Sequence, residues 1–282
     1  MPLGGYTSIW NRNAKAKMSK HLSPLALQLS QIAAAAGKLI LRHYSEGTGA
    51  REKRDRSPVT AADEEAEALI LAKLRQDFPG VPIIAEEATA RGEAPEIEGR
   101  FFLVDPLDGT KEFLARNGEF TVNIALIEDG KPLCGVVLAP AQGRAFAGDV
   151  RESAAFELSV SGAGVVNLTS AKNILARKPP ESGLTAVVSR SHRDSKTEKY
   201  LVNYRIAETK AAGSSLKLCL IAAGEADLYP RLGRTMEWDI AAGHAVLAAA
   251  GGSVTQLDGA PFFYGKVSQK FANPYFIAKG RA

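Results

Sequence analysis

The stretch Phe101-Phe-Leu-Val-Asp105-Pro-Leu-Asp108-Gly-Thr110 carries four apolar residues directly into two carboxylates three positions apart. An apolar run of that length reads as a short buried strand. Pro106 and Gly109 force a turn where it ends, and such a turn can aim both carboxylates and the Leu107 carbonyl at one point. Hard oxygen donors so arranged suit Mg2+, which takes carboxylates, water and substrate phosphate. Asp-Pro and Asp-Gly also mark ordinary turns, and the ten residues alone leave both readings open.

Outward from this strand, residues 81–85, 121–127 and 132–138 are further short apolar segments. Glu128-Asp-Gly-Lys131 between the last two is a hairpin-turn signature, and residues 144–148 would extend an antiparallel meander. Upstream, Leu27, Ile32, Ala35 and Leu39 recur near helical spacing and predict a helix over 24–44, ended by Gly47 and Gly49. A polar loop, 48–57, follows; its basic part, Arg51 to Arg56, reads either as a solvated loop or as one that orders over a bound phosphate. Thr60 with Asp63 three residues on forms a capping-box pattern. Ala66, Ile70, Leu74 and Phe78 give that second helix one apolar stripe before Pro79-Gly80 stops it. Residues 160–182 show no usable periodicity, and Pro179-Pro180 marks a boundary. Beyond it, strands at 185–189, 204–207 and 226–229 alternate with helices at 193–203, 214–224 and 238–250. Alternation of this kind argues for helices packed on a sheet. The expected class is therefore α/β, with an α+β first half and an α/β second half.

Composition narrows the function. The chain has 282 residues, 45% hydrophobic and 23% charged, which is ordinary globular usage and excludes a disordered tail, a collagen-like chain and a coiled coil. At roughly 150 residues per domain, the length suggests about two units. The net charge of +4 is scattered rather than striped, which favours a small anionic ligand over nucleic acid. Cys134 and Cys219 exclude a disulfide framework and a Cys-based zinc site and fit a reducing, cytoplasmic setting. No apolar run approaches the ~18 residues that span a bilayer. The first 45 residues lack Asp and Glu and include Arg12, Lys15, Lys17 and Lys20, as a transit peptide would. The alternative is a start at Met18, with residues 1–17 a disordered extension. P-loop, dinucleotide-fingerprint, nucleophile-elbow and H-E-x-x-H motifs are all absent, and His21, His43, His192 and His244 have no ligand spacing.

What remains is acidic. Ile83-Ile-Ala85-Glu86-Glu87 puts paired acids at the end of another apolar segment, though a solvated loop would look the same. Asp63 has its cap reading, and Asp239 in Glu237-Trp238-Asp239 could simply favour the positive end of a helix dipole. Four such elements, each at the edge of a buried strand or helix, are hard to read as decoration.

Pro58-Val-Thr-Ala-Ala-Asp63, Ala85-Glu86-Glu87, Asp105-Pro-Leu-Asp108-Gly-Thr110-Lys-Glu-Phe113 and Trp238-Asp239 with Ala241-Ala-Gly243 resemble, in order, the inositol monophosphatase superfamily. The likeness runs from about residue 24 to the C-terminus. It implies a layered αβαβα sugar-phosphatase-type fold and a Mg2+-dependent, often lithium-sensitive phosphatase. Ser189-Arg-Ser-His192-Arg-Asp194, Gly213-Ser-Ser-Leu-Lys217, Ala226-Asp-Leu-Tyr-Pro230-Arg231 and the Lys111-Glu-Phe113 continuation look most like the 3′(2′),5′-bisphosphate nucleotidases of bacterial sulfur assimilation. That implies hydrolysis of adenosine 3′,5′-bisphosphate (PAP) to AMP and phosphate, extending to the 3′-phosphate of PAPS.

By position in these motifs, the resemblance implies that Glu86, Asp105, Asp108, Asp239 and the Leu107 carbonyl hold two or three Mg2+ ions. Asp63 would help to hold the attacking water, and Thr110 would orient it, backed by Asp63 or Glu86. Gly109, Thr110 and Lys111 would offer backbone N–H groups to the phosphate, as a nest does. Ser214 and Lys217 at a helix start, His192, Arg231 and Asp239 would hold the nucleotide, with Lys217 and Arg231 on its distal 5′-phosphate. Residues 18–160 would form a metal-binding α+β subdomain and 161–282 an α/β substrate-binding one. The expected partner is a small anionic nucleotide, with no nucleic acid and no transmembrane segment. Oligomeric state stays open, a homodimer among the options, as does peripheral attachment to the cytoplasmic side of the inner membrane. Rival readings are an inositol monophosphate or fructose-1,6-bisphosphate phosphatase, and a non-catalytic sensor of metal or nucleotide. The intact acidic set and Thr110 argue against the sensor.

Overall fold

The computed structural model describes residues 21–47, 49–52, 58–190 and 195–282. Expectations for residues 1–17 and for loop residues 53–57 lie outside them. Helix α1 (Pro24–Glu46) starts at Ser23, whose hydroxyl accepts the Ala26 N–H at 3.2 Å, with Pro24 in the first helical position. Strands β1 (Ala50–Glu52) and β2 (Pro58–Thr60) pair antiparallel, Arg51 opposite Val59, so part of the expected polar loop is a short ribbon. It leads into α2 (Ala61–Asp77); the short helices α3 (Glu86–Arg91) and α4 (Thr110–Leu114) come later in the chain.

The first sheet has seven strands in sequence order: β3 (Ile83–Ala85), β4 (Arg100–Asp108), β5 (Thr121–Glu128), β6 (Lys131–Ala139), β7 (Arg144–Asp149), β8 (Ala154–Val160) and β9 (Val166–Ile174). Only β3 and β4 run parallel. The β5–β6 hairpin turns on Asp129 (φ 49°) and Gly130 (φ 71°), the two left-handed residues that a type I′ turn needs. Along β4, Phe102 and Val104 enter the core under α1 and α2, while Phe101 and Leu103 enter the core on the other face. Both faces are covered, which is why the strand reads as an unbroken apolar run.

The second sheet contains β10 (Leu184–Ser189), β11 (Ile206–Ala212), β12 (Leu228–Arg231), β13 (Ser253–Gln256) and β14 (Phe276–Lys279), in the order β11-β10-β12-β14-β13. Helices α6 (Leu216–Ala222) and α7 (Glu237–Ala249) lie between the sheets, and α5 (Ser195–Leu201) packs on β12. The layers are thus helix, sheet, helix, sheet, helix. Sandwiched α7 is buried on nearly every side, and its backbone rests on two glycines of the first sheet. A Cβ at Gly135 would stand 2.6 Å from the Ala242 carbonyl oxygen, and one at Gly148 2.7 Å from Val246 Cα.

Three expectations need correction. Residues 166–174, within the stretch without usable periodicity, form β9, which pairs with β8 of the first sheet, Ala155 opposite Ile174. Its edge position leaves most of its side chains exposed, which erases apolar alternation. The same holds for β11, which runs to Ala212 rather than ending at residue 207. Finally, α1 is by length and composition apolar enough to cross a membrane. Here its apolar residues, Leu29, Ile32 and Ile40 among them, pack against α2 and the sheet.

Candidate active site

The ends of β3 and β4, the turn before α6 and the first turn of α7 meet around a cavity of about 1050 Å3. Glu86, Asp108, Gly109, Thr110, Lys111, Ser214, Lys217, Arg231 and Asp239 all line it. The expected capping box exists, and it does more than cap. Asp63, 1% exposed, accepts on Oδ2 from the Thr60 N–H at 2.8 Å and the Thr60 hydroxyl at 2.6 Å. Its other oxygen, Oδ1, accepts from the Thr110 hydroxyl at 3.0 Å. One carboxylate thus ends α2 on one side and orients a cavity-lining hydroxyl on the other.

Between Asp105 and Asp108 the β4–β5 register slips by one residue, from Asp105 opposite Asn123 to Asp108 opposite Thr121. A bulge of this kind re-aims side chains at a strand end. Asp105, on the Phe101–Leu103 face of the strand and buried, accepts the Leu107 N–H at 3.1 Å. Asp108 Oδ2 accepts from the Ser215 hydroxyl at 3.2 Å and Asn123 Nδ2 at 3.5 Å. Asp239 Oδ2 accepts the Met236 N–H at 2.8 Å, so its helix-start role is real as well. After Gly109 (φ 92°) comes the short helix α4 (Thr110–Leu114), whose N-terminus has no side-chain cap.

The electrostatics are those of buried, mutually repelling carboxylates. Burial pushes the Asp108 carboxyl up to about 6; Lys217 and the Ser215 hydrogen bond oppose this, while Glu86 and Glu112 add to it. Burial, then Asp108 and Glu86, raise Asp239 well above the ordinary carboxylate range. Carboxylates gathered this way repel until a hard cation offsets them. Among the described residues no group of three or more His, Cys, Asp or Glu side chains already holds a metal-ligating geometry. The donor chemistry nevertheless fits a hard divalent ion: oxygens only, on three separate elements around one cavity.

The nucleotide-side residues divide. Lys217 is buried, with Nζ donating to the Ser214 carbonyl at 2.5 Å and the Ala212 carbonyl at 3.5 Å, over the Tyr229 ring. Burial pulls its pKa down to about 8, with Asp108 the largest influence holding it up. An ammonium has three donors, so one remains for the cavity. Arg231 donates to the Arg234 carbonyl at 3.2 Å, while its buried Nε has no partner. Ser214 departs from expectation. With φ at +47° its hydroxyl turns inward, toward the Asp108 carbonyl at 2.9 Å and the Glu119 carbonyl at 2.8 Å, and α6 begins only at Leu216. His192 lies outside the described residues. His244 is buried against the Tyr264 hydroxyl at 2.8 Å, and burial drives its pKa down to about 3.

Sequence reading passed over Asn123, Ser215 and Glu119. Glu119 ties the halves together, accepting from Arg190 at 2.7 and 2.8 Å and from the Gly213 N–H at 2.8 Å. Asn123 had one faint signal, a lone amide inside the apolar run 121–127.

Comparison with known proteins gives the family and the fold. The model of the inositol monophosphatase family matches residues 21–282. The 3′(2′),5′-bisphosphate nucleotidase CysQ of Shigella flexneri is 44% identical over 252 residues, covering 88% of this chain and 97% of that protein. The crystal structure of CysQ from Bacteroides thetaiotaomicron superposes with a TM-score of 0.76 at 35% identity, covering 92% of this chain and 97% of that one. The Thermotoga maritima IMPase superposes at 0.70 with 24% identity, over 89% and 90% of the two chains, a likeness of fold.

Proposed function

The chain belongs to the inositol monophosphatase family, and from that starting point we propose that it is a Mg2+-dependent 3′(2′),5′-bisphosphate nucleotidase that converts adenosine 3′,5′-bisphosphate to AMP and phosphate. The supporting observation is a single cavity that holds both the clustered carboxylates and, on Arg231, a buried guanidinium Nε without a partner. A substrate with one scissile and one distal phosphate answers both.

Glu86, Asp105, Asp108, Asp239 and the Leu107 carbonyl would hold two or three Mg2+ ions. Bound there, they supply neutralisation of the phosphate charge and a more acidic water. The protein's own part begins at Thr110. Its proton points to Asp63 Oδ1, so its oxygen is left to accept a proton from the attacking water, with Asp63 as the acceptor behind it. The water oxygen bonds to phosphorus as the P–O3′ bond breaks; ribose O3′ takes a proton from solvent, matching the one Asp63 receives, and AMP and inorganic phosphate leave. The uncapped N–H groups of Gly109, Thr110 and Lys111 face the phosphate oxygens, and Arg231 with the third Lys217 donor takes the 5′-phosphate. PAPS carries the same 3′-phosphate and is a second substrate on this reading. Two buried free thiols, Cys134 and Cys219, suit a reducing compartment such as the cytoplasm.

Arg231→Ala tests the assignment. A charge-assisted bond of about 1.5–3 kcal/mol corresponds to roughly 10–150-fold in kcat/KM. The loss should fall on the bisphosphate and largely spare 3′-AMP, which has no second phosphate. Equal losses on both substrates would remove Arg231 from the distal subsite.

A further inference from the structure

Beneath the cavity, Ser215 and Asn123 join the two carboxylate-bearing elements. The Ser215 hydroxyl proton lies between Asp108 Oδ2 at 3.2 Å and the backbone carbonyl of Asp239, while its oxygen accepts from Asn123 Nδ2 at 2.9 Å. The same amide reaches Asp108 Oδ2 at 3.5 Å, and Asn123 Oδ1 accepts the Thr121 hydroxyl at 3.1 Å, which fixes its orientation. Ser215 is 3% and Asn123 1% exposed. This node therefore spans the end of β4, the middle of β5, the start of α6 and the first turn of α7. It also engages Oδ2 of Asp108, leaving Oδ1 with no hydrogen bond among the described residues.

We infer that Ser215 and Asn123 are positioning residues that set the separation and orientation of Asp108 and Asp239 for cation binding. The inference rests on the metal-dependent phosphatase reading above. Neither side chain carries charge, so neither replaces a ligand. Outer partners of metal ligands act in this way, and losing one typically costs about 10–100-fold in metal affinity or activity.

The test uses the full chain, with Mg2+ as the probe. Mg2+ Kd is measured by calorimetry and by the Mg2+-induced rise in Tm, alongside phosphate release from the bisphosphate. Ser215→Ala should weaken Mg2+ binding by roughly 10–100-fold while the metal-free Tm stays close to that of the unmodified chain. Asn123→Ala should do the same, and the double variant should lose little more than the worse single one. Activity of Ser215→Ala should recover in part at saturating Mg2+, a recovery that a merely misfolded variant would not show. Unchanged Mg2+ affinity in both single variants, with turnover intact, overturns the positioning role and leaves the function reading standing. If the unmodified chain itself neither binds Mg2+ nor releases phosphate, both fall together.

Discussion

Thr110→Val keeps the side-chain shape and removes one hydroxyl, the group through which Asp63 reaches the cavity at 3.0 Å. The α2 cap survives, because Asp63 Oδ2 still accepts from the Thr60 N–H at 2.8 Å and the Thr60 hydroxyl at 2.6 Å. Folding should lose no more than one charge-assisted bond, about 1.5–3 kcal/mol. Turnover should lose far more, since proton transfer by a positioned group contributes roughly 10²–10⁴-fold. The expected result is a fall of that size in kcat, with KM nearly unchanged and the far-ultraviolet spectrum intact. Asp63→Asn should match it in kcat and add a loss of Tm, because the amide cannot satisfy both Thr60 donors and Thr110. Since the two residues act as one unit, the double variant should be little slower than the worse single one. Near-normal kcat in a folded Thr110→Val protein, measured by single-turnover phosphate release, would refute the relay. Fully additive losses would refute the coupling.

Asp108→Asn should abolish turnover and stabilise the metal-free protein in a pH-dependent way. The folded pKa of about 6 lies above the ordinary 3.8, so the fold loses stability as pH rises through that window. The penalty is complete above pH 6 and, at ~1.36 kcal/mol per unit, comes to about 3 kcal/mol. The variant's Tm advantage should be largest near pH 8 and vanish near pH 4; a pH-independent difference would contradict the repulsion. The comparison cancels His244, whose forced neutrality weakens both proteins as pH falls below its ordinary 6.5. Gly109→Ala places a Cβ 2.3 Å from Ser214 Oγ at a φ of 92°. Left-handed strain and overpacking together should cost roughly 2–5 kcal/mol and most activity, read by calorimetric melting and phosphate release. Unaltered melting would show that the Ser214 turn is softer than its contacts imply.

The acidic positions were more legible in the sequence than the scaffolding around them. Asp108 ends a strand, Asp105 stands three residues before it, and Asp63 and Asp239 lie in the first turns of helices, where a charge beside an apolar run is conspicuous. Both plain readings also held: Asp63 and Asp239 cap their helices, each with one oxygen. Asn123 had no such contrast, because a single polar residue inside an apolar segment carries no spacing signal, and Ser215 stood within Gly213–Lys217 without a role. The bond that joins them spans 92 positions, and the one from Ser215 to Asp108 spans 107. Ser214 was visible as a residue but not as a conformation; neither its positive φ nor its bonds to the Asp108 and Glu119 carbonyls leave a mark on the sequence. Strand β9 was hidden because alternation requires one buried face, and an edge strand with exposed side chains supplies none.

On the function proposed above, the acidic cavity removes the 3′-phosphate of a nucleotide bisphosphate. Initial rates of phosphate release from adenosine 3′,5′-bisphosphate, inositol 1-phosphate and fructose 1,6-bisphosphate, with Mg2+ and with chelator, test it most directly. The nucleotide should be the best substrate by kcat/KM, and chelator should abolish its turnover. Faster turnover of inositol 1-phosphate, or release from the nucleotide that persists in chelator, would contradict it.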